Sequence, residues 1–426
     1  MLTCVTNPSS KQYLGGWVFK YFKSKGKSDI EVWINKSLND ARLCGLMQLL
    51  GGDWQKWAKS QGVSTQSINL MKQLDSQYSK VSNAKYRIPG GGGSKINPAD
   101  LAKWLVLRAQ KVGSKAAYSS LKCLAQNPCT SGYHVTLING LDFTGTVNFG
   151  DDIKLVSGNF LPQDIQDGIS QKIARMGHTA KPPYSFLFKP VDVDVFSDEP
   201  DEHDEAATQN YVDSEFVIVN FLSLFSKRHA PCIDRRWSVL SDSTPMSGII
   251  DNGYQGFMEI RPPKVPENWD DVDLEQLPEI YKAYRQIPEK QRLPIDIALW
   301  RRSQAMNTWD DTNKAIDLGI ALESVLTSPK TREQLSLHIR VLGSKLVSKD
   351  SNERSEIFLL LKCLYRIRSE AVHNGTVDKS YKIKNRGSVR TSEVLDEGIA
   401  LLSRCIKEII KRGGLTQDDF EALLIE

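Results

Sequence analysis

Apolar positions along this chain change period several times, and each change predicts an element. Near the start, Trp17, Phe19 and Tyr21 alternate with Val18, Lys20 and Phe22. After a polar stretch at 24–28, Ile30, Val32 and Ile34 alternate with Glu31 and Trp33, so a β-hairpin is predicted. From Asn39 the spacing becomes three and four, with Leu43, Leu46, Met47 and Leu50, and Gly51-Gly52 ends the helix. Pro89 to Ser94, a proline and four glycines before a serine, is expected to be a flexible joint. A helix carrying Leu101, Trp104 and Leu105 follows Asn97-Pro98. The middle is written in short β-branched and aromatic runs: Tyr133 to Ile138, Phe143 to Phe149, Ile153 to Ser157, Tyr184 to Phe188, Phe216 to Phe221 and Phe257 to Ile260.

From about Pro266 the helical period takes over. The spacing predicts helices over 313–326, 334–346, 353–373 and 392–411, the last closed by Gly413-Gly414. Four such helices predict a bundle of about 100 residues, since each has one apolar face to bury. With 426 residues the chain is long enough for two or three domains.

Charge divides the chain where the pattern does. Residues 1–125 hold 19 Lys and Arg against 6 Asp and Glu, a surplus of 13; 306–426 hold 19 against 18. With a total of +4, the middle, 126–305, carries −10. A basic end attracts a polyanion or an acidic partner, or pairs with the acidic middle of its own chain; both remain open. The acidic run from Asp192 to Glu205 includes His203 but has no ordered ligand spacing, so a solvated loop is expected rather than a metal site. The seven cysteines are scattered, with no CxxC, which predicts free thiols and a reducing compartment. With no apolar run of membrane length and no signal-like start, a cytoplasmic protein without membrane or cofactor is expected.

The third helix of the bundle reads Leu364-Tyr365-Arg366-Ile367-Arg368-Ser369-Glu370-Ala371-Val372-His373-Asn374-Gly375. An Arg, four residues and a His resemble the signature of HEPN domains. The aromatic before Arg-Ser, the Gly soon after His, and Ala321 to Leu326 upstream are similar to the Apea-like branch of that family. The resemblance covers roughly 312–412. It implies a metal-independent endoribonuclease of antiphage defence, acting as a homodimer with RNA as substrate and DNA or a phage-derived molecule as trigger. Arg368 and His373 would be catalytic, with Tyr365, Ser369 and Asn374 in support. The expected fold is then α+β and multidomain: a basic α/β region at 1–125 that binds nucleic acid or senses a trigger, a β-rich acidic middle at 126–305, and an all-α HEPN helical bundle at 306–426.

The residue types suit that chemistry. RNA is cut without metal when its own 2′-hydroxyl attacks the adjacent phosphorus. His moves a proton near neutral pH, and Arg meets the growing negative charge with planar donors. Positions five apart on a helix sit about 140° from each other, so one copy does not align both side chains, and the implied dimer would bring two motifs to one cleft. Ser369 departs from the Asn, Asp or His that follows the Arg in many active members; serine hydrogen-bonds but carries no charge. The residues alone also permit a structural reading, with Arg368 paired to Glu370 or Glu356 and His373 near the helix C-cap. A DNA-binding regulator with an inactive HEPN dimerisation domain is the alternative function.

Two further segments are candidates for nucleic-acid contact. Beyond the motif, Lys379, Lys382, Lys384, Arg386 and Arg390 with Tyr381 predict a basic loop for phosphate contact and base stacking, or else a plain solvated loop. Trp54 to Met71 resembles a helix-turn-helix, with Ala58 allowing close helix packing, Gly62 at the turn and Gln66, Ser67 and Asn69 facing a groove.

Overall fold

The computed structural model describes residues 129–163, 165–166, 169, 184–194, 213–240, 249–251, 267–269, 271–328 and 334–425, with 85–88, 91–95, 112, 116 and 119–120 before them. The predicted N-terminal hairpin, the helix from Asn39, the helix-turn-helix with Gln66, Ser67 and Asn69, the run Phe257 to Ile260 and the acidic run beyond Asp194 lie outside the described residues.

Mixed helix and strand, with a helical C-terminal region, make up the chain, which divides into two compact units. One comprises 1–135, 189–212 and 236–253. Here the expected joint is a hairpin: β1 (Lys85–Ile88) pairs antiparallel with β2 (Gly91–Lys95), so most of the glycine run is hydrogen-bonded strand. Backbone pairing holds where side-chain composition suggested slack, because glycine keeps its N–H and C=O for the ladder. The first half of β3 (Cys129–Asn139) and the ends of β7 (Ser185–Asp194) and β8 (Cys232–Leu240) belong here, with β9 (Ile249–Asp251) antiparallel to β8. His134, 2% exposed, has its pKa pushed down to about 4 by burial and by the nearby Lys189.

The other unit comprises 136–188, 213–235 and 254–426, and one continuous apolar core runs through it from Ile138 to Leu423. Its first layer is a sheet edge. After β4 (Leu141–Asp142), β5 (Thr146–Gly150) turns into β6 (Ile153–Ser157) through Asp151-Asp152, both at positive φ, the geometry a two-residue hairpin demands. Period two then puts Val147, Phe149, Ile153 and Leu155 into the core. β6 continues antiparallel to β7, and β10 (Glu267–Asn268) pairs parallel with β4.

The run Phe216 to Phe221 is not a strand. Residues 213–222 form a helix, α1, which continues as a 3-10 turn at Ser223–Phe225. Glu215, Ile218, Val219 and Leu222 are buried at helical spacing, and Phe221 packs on Tyr281 and Tyr284. A two-sided apolar segment satisfies either period, and the layer it meets decided this one.

Helices follow: α2 (Asp271–Gln286), α3 (Glu289–Asn307), α4 (Asp311–Leu326), α5 (Leu335–Val347), α6 (Ser351–Asn374), α7 (Thr391–Lys411) and α8 (Gln417–Ile425). The bounds of α4 to α7 agree with the predicted helices to within two residues. Between α6 and α7 the region departs from all-α: β11 (Ser380–Ile383) and β12 (Gly387–Arg390) form an antiparallel hairpin. Helix α4 touches α3, α5, α6 and α7. Leu326 of α4, Leu361 of α6 and Leu402 of α7 are fully buried, each contributing about 1.5–3 kcal/mol on removal from water.

Arg302 of α3 is 1% exposed and ties this unit together. Its Nε donates to Ser403 Oγ at 2.8 Å, its Nη2 to the Ser226 carbonyl at 3.0 Å, and its Nη1 to the Ser223 carbonyl. Burial draws its pKa down to about 9, against the pull of the Glu267 carboxylate. Cys232, Cys363 and Cys405 are buried free thiols whose pKa values burial pushes up to about 12, 11 and 12, which makes them inert. Among the described residues no helix is long and apolar enough to cross a membrane.

Candidate functional site

Helix α6 carries the motif, and both its ends are built by local chemistry. Asp350 caps the start, accepting the Glu353 N–H at 2.8 Å, while Ser348 donates to the Glu353 carboxylate at 2.6 Å. Ile357, Leu360, Leu361, Leu364, Ile367 and Ala371 make the buried stripe. Gly375 takes the left-handed conformation, φ 70°, and its N–H donates to the Ala371 carbonyl, ending the helix at Asn374. His373 thus lies in the last turn, exposed, where the helix dipole favours a cation.

Arg368 falls on the core side of that helix. Its stem lies over Gly319 of α4: a Cβ built there would come within 2.3 Å of the Arg368 Cγ. One turn on, Glu323 receives the guanidinium, with Nη2 at 3.2 Å from both carboxylate oxygens. Side-chain exposure is 25% for Arg368 and 23% for Glu323, so the pair sits at the edge of solvent. The Tyr365 ring centroid lies 6.0 Å from the Arg368 Cζ. Neither Glu370 nor Glu356 takes Arg368: Glu370 holds Arg366 instead, at 2.8 Å from its Nε. Arg368 and His373 are therefore directed to different sides of α6 within one chain, as the 140° between them requires.

Around this pair, Ser369 is half-buried and Asn374 exposed. A narrow apolar cleft bordered by Leu318, Leu322, Leu361, Leu364 and Tyr365 lies beside the Gly319 seat. Apart from Tyr365 those side chains offer no polar group, so the cleft is not where a phosphate would settle.

The expected basic loop is the β11–β12 hairpin, and the pleat sorts its residues. Tyr381 and Ile383 point inward; Lys382 points outward with Ser380. Tyr381 is 2% exposed, and its hydroxyl donates to Glu370 at 2.5 Å. Base stacking on Tyr381 is therefore corrected: its ring is part of the core, because a strand that covers a bundle must bury every second side chain. Two of the expected cations are engaged. Arg386 forms a two-pronged pair with Glu397, at 2.6 and 2.5 Å, and Arg390 pairs with Glu393. Lys379, Lys382 and Lys384 are exposed. Among the described residues no three His, Cys, Asp or Glu side chains gather as a metal site would need.

Two acidic residues belong to this site that the motif alone did not single out. Glu323 is four residues after a helix-interior glycine, and Glu370 four residues after Arg366; both spacings place them one turn along the same face. Tyr381 first, then Arg366, holds the Glu370 carboxyl below the usual carboxylate range. Set against protein-family models, curated proteins and solved structures, the chain matches none.

Proposed function

We propose that this protein is a metal-independent endoribonuclease of the HEPN, Apea-like type, working as a homodimer in antiphage defence. The observation that carries the reading is an exposed imidazole, His373, at the end of the same helix that seats a partly open guanidinium, Arg368, between Gly319 and Glu323. Pairing of two α6 helices about a two-fold axis would let the Arg368 of one protomer meet the His373 of its partner across one groove.

In this mechanism the RNA 2′-oxygen attacks the adjacent phosphorus. A neutral His373 takes the 2′-hydroxyl proton as the P–O2′ bond forms, and Arg368 balances the charge on the non-bridging oxygens. The P–O5′ bond breaks, and a protonated His373 of the partner subunit gives its proton to the leaving 5′-oxygen. The products are a 2′,3′-cyclic phosphate and a 5′-hydroxyl. DNA lacks the attacking group. Exposed Lys379, Lys382 and Lys384 supply sequence-independent phosphate contact nearby.

The test is incubation of the purified protein with mixed cellular RNA in EDTA, beside His373→Ala and Arg368→Ala. Cleavage that survives chelation, yields cyclic phosphate ends and disappears in both variants supports the reading. One observation favours the second reading, a DNA-binding regulator: Arg368 already holds a carboxylate and Ser369 adds no charge. Salt-sensitive duplex DNA binding without RNA cleavage would decide for that.

A further inference from the structure

Helix geometry puts on the face of His373 an arginine other than the one its motif names. At about 100° per residue, seven residues are two turns less about 20°, so Arg366 and His373 share one face of α6. Glu370 lies between them, about 40° from Arg366. Arg368 is about 160° away from Arg366 around the same helix, on the side that packs against α4. Exposure agrees: the Arg366 side chain is 60% exposed and that of Arg368 25%.

Arg366 is also held in a way that leaves its working end open. Its Nε donates to Glu370 Oε1 at 2.8 Å, and its Cζ lies 5.2 Å from the Tyr381 ring centroid. The second oxygen of Glu370 is occupied by the Tyr381 hydroxyl. Carboxylate and ring thus fix the guanidinium from one edge, and among the described residues Nη1 and Nη2 have no hydrogen-bond partner. Those two nitrogens form the fork that fits two phosphate oxygens. Arg386 shows the contrast on the same surface, since both its Nη atoms are spent on Glu397.

We propose that Arg366 is a substrate contact, its forked end taking a phosphate of single-stranded RNA beside His373, with Glu370 and Tyr381 as its positioning residues. That the phosphate belongs to RNA, and is the scissile one, rests on the nuclease reading above; that the open fork fits a phosphate does not.

The experiment uses the full chain and two probes: a short single-stranded RNA, and the same RNA 2′-O-methylated throughout, which keeps every phosphate but cannot be cut. Arg366→Ala should melt like the parent, weaken binding of the methylated RNA several-fold, and slow cleavage about 100-fold. Arg366→Lys should restore part of the binding and little of the rate, because an ammonium keeps the charge without the fork. Glu370→Gln should lower the rate less than Arg366→Ala. Unchanged binding of the methylated RNA by a folded Arg366→Ala protein overturns the proposal. If the parent cuts no RNA but binds it, and Arg366→Ala weakens that binding, the nuclease reading fails while the phosphate contact stands.

Discussion

Arg302, where α3 meets α7, and Arg366, on the outer face of α6, are arginines of one compact unit held in opposite ways. Arg302 is buried, with every nitrogen turned to a serine hydroxyl or a backbone carbonyl. Arg366 is anchored through Nε alone and faces water. Arg368 stands between these extremes, its stem packed over Gly319 and its head at the solvent edge. The difference teaches where to look for function in this fold. A charge whose donors are all consumed internally holds structure, and one left partly open on a rigid helix is placed to meet a ligand.

Four substitutions would break or sharpen that contrast. The largest effect is expected for His373→Ala, which should slow RNA cleavage by about 10²–10⁴-fold while leaving stability within about 0.5 kcal/mol, as for other exposed positions. A cleavage rate within threefold of the parent would remove His373 from the mechanism. Next, Arg302→Ala strands the Ser223 and Ser226 carbonyls in a dry interior and should cost about 3 kcal/mol or more. The readout is the urea midpoint at unchanged slope, and a loss below about 1 kcal/mol would show that the buried network is dispensable.

Gly319→Ala is the discriminating case. Alanine favours a helix over glycine by about 1 kcal/mol, yet its methyl would collide with the Arg368 stem. A net loss of about 1–2 kcal/mol is expected, and in an Arg368→Ala background the same change should become neutral or stabilising. A stabilising Gly319→Ala in the parent would mean that Arg368 has no fixed seat. The smallest effect belongs to Arg386→Ala. Its pair with Glu397 is two-pronged but about 40% exposed on both sides, so the change should be below about 1 kcal/mol and should shrink further with salt. A loss comparable to that of Arg302→Ala would contradict the division between closed and open arginines.

What the sequence alone determined is local. Helices α4 to α7 were legible because a helix writes its own period: one apolar face, a polar opposite face, Asp at the start of α4 and α6, and Gly375 just past the end of α6. Strand β6 was legible as a short β-branched run that follows a turn at Asp151-Asp152. The Arg368 and His373 motif was readable as residue types in order, and the 140° between them followed from helix pitch.

Only the tertiary structure decided which neighbours those residues have. Residues 213–222 are apolar on two sides, so the sheet and helices around them, not their own propensity, chose helix over strand. Tyr381 and Lys382 are adjacent in sequence, but pairing of β11 with β12 over the bundle sent one into the core and the other into water. Glu323 stands 45 residues before Arg368 and meets it only because Gly319 lets two helices close up. Contacts between distant segments depend on how faces pack in three dimensions, and a linear pattern records the faces without recording what they meet.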